Sequence, residues 1–260
     1  MADRVLPGPE EGASCTCGCV NIHTSKIFDS CRDKDCVEDL RVYLTAPSQA
    51  AVNGAFSVRP GTSKLICANV SVDDFGFNRG SYTVDVTFFY RITGCVFPGG
   101  TEVTGLAIFN KRVILYGSDG AVKVYSSQSG CSSITQPTAY VEAVDPVTLG
   151  MKLTDPGCGC PLDGEICHIP EEILSSFGDE LVIEGAGRRL YVTLGQFSII
   201  RLERDTQLTL KDVCYFFPEK ECAGGNEDDP CTLFSRVHFP VDEFYPPDEM
   251  KCPEEYKELV

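Results

Sequence analysis

Cysteine is the residue type in this chain that most clearly carries chemistry, with 15 cysteines among 260 residues. Thiolates bind soft metals and thiols pair into disulfides, so the spacing of the cysteines bears on which chemistry is used. One residue separates neighbours in the ladder Cys15, Cys17 and Cys19, and also in the pair Cys158 and Cys160. The odd total leaves at least one thiol free, metal-bound or joined to another chain.

The cysteine spacing fits a structural metal site poorly. Structural zinc sites usually take about four ligands from Cys-x2–4-Cys pairs. Cys31 and Cys36 have four residues between them, and no second such pair follows at zinc-finger distance. The spacings of iron–sulfur proteins are not matched either. We therefore expect no cofactor, with zinc in a cytosolic cysteine-rich metal-binding protein kept as the alternative.

Disulfide bonds between subunits are the competing chemistry. Cysteines separated by one residue cannot readily bond to each other because the bridge would be strained, but on an extended arm they can reach a neighbouring subunit. The intermolecular candidates are Cys15, Cys17, Cys19, Cys158 and Cys160. Other candidates, for a disulfide or a metal ligand, are Cys31, Cys36, Cys167, Cys222, Cys231 and Cys252. Cys67 and Cys214 lie in strand-like segments, where burial as small apolar residues is the simpler interpretation.

Groups for catalysis are sparse in this sequence. Its three histidines are His23, His168 and His238. His168 adjoins Cys167, but neighbouring side chains of a strand face opposite ways. No nucleophile elbow, zinc-protease motif or phosphate-binding glycine loop is present. We assign no catalytic residue and expect no enzyme.

Charge and the N-terminal residues narrow the class of partner. The net charge is −16, from 38 acidic and 22 basic side chains. A nucleic-acid-binding protein normally presents a basic face, and an anionic membrane surface repels an acidic protein, so we expect neither partner. The first residues, MADRVLPGPEEGAS, lack the basic and apolar regions of a secretory signal. We therefore expect synthesis in the cytoplasm, where thiols stay reduced.

Alternating polar and apolar residues predict a mainly β fold, an antiparallel β-sandwich-like body with one short helix. Pro170 suits the first turn of that helix, and Gly178 can end it. The predicted strands cover residues 39–45, 64–72, 81–92, 105–115, 121–126, 180–184, 188–194, 197–204 and 207–215.

Composition divides the chain into four regions. Residues 1–36 form an extended cysteine-rich N-terminal arm, and residues 37–154 form a β domain. A cluster of proline, glycine and cysteine follows, so that residues 155–217 form a second β lobe that carries the helix. Residues 218–260 form an acidic tail with prolines and cysteines.

Several segments resemble a family of cysteine-rich proteins from spore-forming anaerobic bacteria, for which no activity is assigned. The resemblance runs across nearly the whole chain and is carried by KIFDSCRDKDC at residues 26–36, YVTLGQFSIIRLER at 191–204, PEKEC at 218–222, DPC at 229–231 and FPVDEF at 239–244.

The resemblance implies a role in sporulation and in the protein layers around the spore. Such a protein is made in the mother-cell cytoplasm without a signal peptide, is deposited on the spore surface, and meets oxidising conditions when that cell lyses. We therefore expect a structural, self-associating protein of the coat, exosporium or an appendage. Its partners would be itself and other spore-layer proteins, and its intermolecular disulfides would form a filament or a sheet.

Overall fold

Seven strands and two short helices make up the described part of the chain in this computed structural model. The structure describes residues 20–76, 78–118, 136–155, 169–184, 187–210, 234, 237–240 and 244. The strands are β1 (Val20–Leu44), β2 (Ser57–Asp74), β3 (Ser81–Phe97), β4 (Glu102–Tyr116), β5 (Thr138–Ala143), β6 (Val147–Thr154) and β7 (Arg189–Leu210). The helices are α1 (Ala46–Asn53) and α2 (Glu171–Ser175). The mainly β prediction is confirmed.

All seven strands belong to one antiparallel sheet in the order β2-β3-β4-β1-β7-β5, with β6 also paired to β7. The sheet curls until β2 meets the segment around β6. There the Ser63 and Thr148 hydroxyls lie 2.6 Å apart, and the Leu65 N–H donates to Asp145 Oδ1 at 2.8 Å. The result is a nearly closed, barrel-like body.

The main core lies inside this curled sheet. In β3 every second side chain from Val84 to Ile92 points inward and is almost fully buried, including Phe88 and Tyr90. This alternation follows from the two-residue repeat of a strand, and β-branched and aromatic residues pack well on a pleated surface. On the far side of the interior, β7 contributes Leu190, Val192, Leu194, Ile200 and Leu202.

A smaller core covers part of the outer face. Tyr43, Phe89 and Leu106 point outward from three strands and are buried by Ile173 of α2, with Ile169 and Leu181 beside it. Pro170 caps α2, and Gly178 beyond it has φ 75, a conformation that glycine adopts without steric cost. The predicted helix is therefore present where proline and glycine mark its ends.

A second helix, α1, was not predicted. It begins after Thr45 with a proline in its first turn and ends at Gly54. These end signals are those of a helix, but in the eight residues between them only Ser48 and Val52 are buried. Two buried side chains give too short an apolar face for the helical period to be seen.

The structure also redraws some predicted segments. Residues 189–210 form the single strand β7 instead of three separate strands, and in residues 180–184 only Leu181 makes an isolated bridge, to Thr45. Residues 20–36 of the predicted arm pair with β7, because a long partner strand is available to them. Residues 1–19 and 121–126 lie outside the described residues. The boundary near residue 155 stays a prediction, although β6 and β7 pair across it.

We expect Gly105→Ala to destabilise the fold where β1 and β4 pair. A Cβ at this position would lie 2.6 Å from the Tyr43 carbonyl oxygen and 3.0 Å from Leu44 Cα. Such overpacking costs about 1–3 kcal/mol. Gly150→Ala is the control, because a Cβ there meets no atom within 4 Å. Urea denaturation of both variants checks this, and equal midpoints would contradict it.

Candidate functional site: a buried lysine between two aspartates

The candidate site lies where β1 and β4 run side by side without a continuous backbone ladder. β1 pairs with β7 along nearly its whole length, but with β4 only through residues 42–44. A β-bulge between Val37 and Leu40 separates the part of β1 that pairs with β4 from the part that does not. Within the bulge, Asp39 has φ 47. Bulges bend a strand and interrupt its pairing. We call the stretch beyond it, residues 29–35 of β1 facing residues 111–116 of β4, the β1–β4 seam.

Side chains close this seam in place of backbone hydrogen bonds. Asp29 Oδ2 accepts the Tyr116 N–H at 3.0 Å. The Lys111 ammonium contacts Asp33 Oδ2 directly and donates to Asp35 Oδ2 at 2.5 Å. The side chains of Lys111, Asp33 and Asp35 are only 6%, 14% and 16% exposed. We call these three residues the Lys111 triad.

The alternation of β4 explains why a lysine points into the core. Phe109, Lys111 and Val113 share the inward face, whereas Arg112 points outward and pairs with Asp85. Phe109 stacks on Phe88 with ring centroids 6.0 Å apart. The ammonium therefore lies in an interior with apolar and aromatic walls, where the carboxylates of β1 supply its polar partners.

Further polar groups surround the carboxylates. Gln196 stands opposite Asp35 in the β1–β7 register, and Ser198 stands opposite Asp33. Gln196 Oε1, Ser198 Oγ and the Tyr90 hydroxyl are buried without a hydrogen-bond partner in the structure. Buried polar atoms are nearly always satisfied, so this polar pocket in the core differs from ordinary packing.

Burial controls the protonation of Asp35. Desolvation raises the pKa of Asp35 from 3.8 to about 6; Lys111 opposes this shift, and Asp33 adds to it. Burial, with the nearby Asp35 charge, also raises the pKa of the Tyr90 hydroxyl. A carboxyl group that gives and takes a proton near neutral pH thus lies against an amine and a second carboxyl group, a combination suited to proton transfer.

The cysteines of β1 lie on both sides of this strand. Cys31 and Cys36 are each disulfide-bonded. They are five positions apart along an extended strand, about 16 Å, which is too far for a bond between them. Cys31 points into the core with the triad acids, and Cys36 points to the opposite face.

The remaining cysteines divide into two groups. Cys67 and Cys95 are free, the first half-buried and the second exposed. The predicted candidates that lie outside the described residues are Cys15, Cys17, Cys19, Cys158, Cys160, Cys167, Cys222, Cys231 and Cys252, and Cys131 and Cys214 lie outside them as well.

Cys95 belongs to an exposed apolar patch at one end of the sheet. Phe56 is 79% exposed and Phe97 is 64% exposed. Their backbones are adjacent, because the Phe56 N–H donates to the Phe97 carbonyl at 2.8 Å. Cys95 lies on the same face of β3 as Phe97. We call Phe56, Cys95 and Phe97 the Phe56–Phe97 patch.

The remaining cleft, the histidines and the acidic and cysteine side chains offer no comparable site among the described residues. A small cleft between α1 and β7 is lined by Arg41 and Arg188. These arginines donate to the Ile183 carbonyl and to Asp155, so both guanidinium groups already bind the chain itself.

Of the histidines, His23 and His238 are exposed, and His168 lies outside the described residues. Among the residues that the structure describes, no group of three or more His, Cys, Asp and Glu is placed to hold a metal ion.

Comparisons with known proteins add no assignment. No protein-family model, curated protein or solved structure matches the chain. None of the described helices has the length and apolar character needed to cross a membrane.

The sequence carried only a weak signal of the triad. Lys111 occupies an inward position of an apolar alternation, between Phe109 and Val113. A charged residue at such a position needs a buried partner. Asp33 and Asp35 are two residues apart, which in a strand puts both on one face, but nothing in the sequence indicates that this face meets β4.

Lys111→Met should destabilise the protein by about 3–5 kcal/mol, because it leaves two buried carboxylates without their partner. Arg112→Met is the matched control, since Arg112 is the next residue and pairs with Asp85 at the surface with 71% of its side chain exposed. Exposed pairs are worth about 0–1 kcal/mol. Equal losses in urea denaturation would contradict the buried role of Lys111.

Asp35→Asn should remove one pH dependence of stability. In the folded protein Asp35 holds its proton up to about pH 6, whereas the unfolded chain releases it near 3.8. The folded state therefore binds more protons between these values, and stability is lost as pH rises through them. The free energy of unfolding of the variant, relative to wild type, should increase from about pH 4 to pH 6. Asp85→Asn should show no such increase.

Proposed function

We propose that the protein is a structural, self-associating protein of the spore surface whose subunits are cross-linked by intermolecular disulfides. It is made in the mother-cell cytoplasm and deposited in the coat, exosporium or an appendage, with itself and other spore-layer proteins as partners. The sporulation context of this proposal comes from the resemblance of residues 26–36 and 191–204, among others, to proteins of spore-forming anaerobes.

The observation that carries the proposal is the Phe56–Phe97 patch. Two phenylalanine rings with most of their surface in water are an unfavourable arrangement for a monomer, and contiguous exposed apolar groups mark interaction surfaces. A free, exposed thiol, that of Cys95, lies on the same face of β3 as Phe97. When two such patches meet, apolar contact brings the chains together and a disulfide can then fix the contact.

The edge of β2 offers a second contact. On the side of β2 away from β3, no described strand pairs with it, and its hydrogen bonds to the segment around β6 come from Ser63 and Leu65. Val70, further along this strand, is 37% exposed. An unpaired edge presents backbone donors and acceptors that a strand from a second copy can satisfy.

The two kinds of cysteine fit a sequence of events. Cys31 and Cys36 are bonded within the chain, whereas Cys95 is free at the surface. A thiol kept reduced in the cytoplasm becomes available for exchange with a neighbour once the surroundings are oxidising. Subunits can therefore associate first and be locked afterwards.

Cys95→Ser should reduce the fraction of disulfide-linked oligomers that form when the purified protein is oxidised. Cys67→Ser is the matched control, since Cys67 is also free but half-buried in β2. Phe56→Ser should weaken association without unfolding the chain, because its ring is exposed. Non-reducing electrophoresis and analytical ultracentrifugation measure these effects.

The proposal is overturned if wild-type protein stays monomeric at high concentration after oxidation. Native mass spectrometry of the same sample separates the alternative: a monomer with stoichiometric zinc, which unfolds when a chelator removes the metal, would support a metal-binding protein.

A further inference from the structure

We propose that Lys111 and Asp33 form an intramolecular isopeptide bond, with Asp35 as the residue that donates and accepts the proton. The bond would join Nζ of Lys111 to Cγ of Asp33 and so link β4 covalently to β1. This inference does not depend on the proposed function.

The geometry of the triad places the reacting groups together. Lys111 Nζ contacts Asp33 Oδ2, and Asp35 Oδ2 accepts from the same nitrogen at 2.5 Å. Asp33 also lies close enough to Asp35 to contribute to the raised pKa of the Asp35 carboxyl group. An amine, a carboxyl carbon and a proton donor held together by a rigid sheet have an effective concentration far above that of free groups.

The surroundings favour reaction over hydration. All three side chains are largely buried, and Lys111 stands opposite Val86 and between the inward side chains of Phe109 and Val113. Buried charges keep a large desolvation cost even when they are paired. Forming an amide removes the charges of both Lys111 and Asp33, so the folded core provides a driving force that is absent in water.

Asp35 is suited to move the protons. Burial raises its pKa to about 6, so near pH 7 about one molecule in ten carries this proton and the others can accept one. A general acid works best when its pKa lies close to the working pH. The Asp35 carboxyl group contacts the attacking nitrogen, and the Asp33 carboxyl group contacts the same nitrogen, so Asp35 lies beside both reacting groups.

The reaction is a condensation with no redox change. A proton passes from the Lys111 ammonium to the Asp33 carboxylate, which leaves a neutral amine and a neutral carboxylic acid. The nitrogen lone pair adds to Asp33 Cγ as Asp35 protonates the carbonyl oxygen, and Asp35 then takes a proton from the nitrogen.

The collapse of this tetrahedral intermediate completes the balance. Asp35 protonates one hydroxyl, the C–O bond breaks, and water leaves. The proton on the remaining oxygen returns to Asp35, which ends in its starting state. One C–N bond replaces one C–O bond, and no oxidant or further reactant is needed.

The bond would strengthen a junction of the sheet that has little backbone pairing. Backbone pairing between β1 and β4 is limited to residues 42–44. Asp33 and Lys111 are 78 residues apart in the chain, and a covalent link that closes a long loop restricts the unfolded state.

Intact mass spectrometry of the reduced, alkylated and denatured wild-type protein tests the proposal. The expected mass is lower by one water molecule than the mass of the sequence with all 15 cysteines alkylated. Asp119-Gly120 and Asp163-Gly164 could lose water by ring closure, so a tryptic digest must locate the loss.

Trypsin separates the two acceptors, because Asp33 and Asp35 fall on different peptides. The expected product is the dipeptide 33–34 joined to residues 92–112, in which Lys111 resists cleavage. Lys152 is the internal control: it also pairs with an aspartate, Asp39, at 3.0 Å, but its side chain is 56% exposed, and it should be cleaved normally.

Asp35→Asn should restore the full sequence mass while keeping both bonding residues, and Asp33→Ala should restore it by removing the acceptor. Wild-type protein with the full sequence mass and normal cleavage after Lys111 overturns the bond. A bond that persists in Asp35→Asn overturns the role of Asp35, and a link to the peptide 35–41 overturns Asp33 as acceptor. The wild-type mass decides the main question even if a variant fails to fold.

Discussion

The contact between Lys111 and the aspartates of β1 holds together the two halves of this sheet. One half consists of β2, β3 and β4, and the other of β1, β7, β5 and β6. A short backbone ladder at residues 42–44 joins them on one side, and hydrogen bonds from Ser63 and Leu65 join them on the other. The buried core stays out of water only while these junctions stay closed. Inside the core, the charged contact that joins the two halves is that of Lys111 with Asp33 and Asp35.

Several strands were predictable because their signal is local, although β5 and β6 were not predicted. The alternation in β3 can be read residue by residue, and Pro170 and Gly178 mark the ends of α2. The continuity of β7 was not predictable, because Gly195 looks like a strand end. In the structure the ring of Phe234 packs where a side chain at this glycine would stand.

The triad escaped prediction for a different reason. Lys111 and Asp33 are distant in the chain, and only the strand order brings β1 beside β4. Cysteine chemistry could be predicted from composition alone, because 15 cysteines are far more than usual. One lysine among 22 basic residues does not stand out in composition. Its role depends on whether its side chain faces inward and on which residues of the neighbouring strand lie opposite.

The bulge near Asp39 has a consequence for how this chain can vary. Before the bulge the inward residues of β1 are odd-numbered, Cys31, Asp33 and Asp35; after it they are even-numbered, Leu40, Val42 and Leu44. One extra residue thus keeps an acidic stretch and an apolar stretch of a single strand in phase with the same interior. A deletion there would turn one of the two stretches to the solvent. Surface residues of β1 can therefore be substituted, whereas the number of residues between Asp35 and Leu40 must be kept.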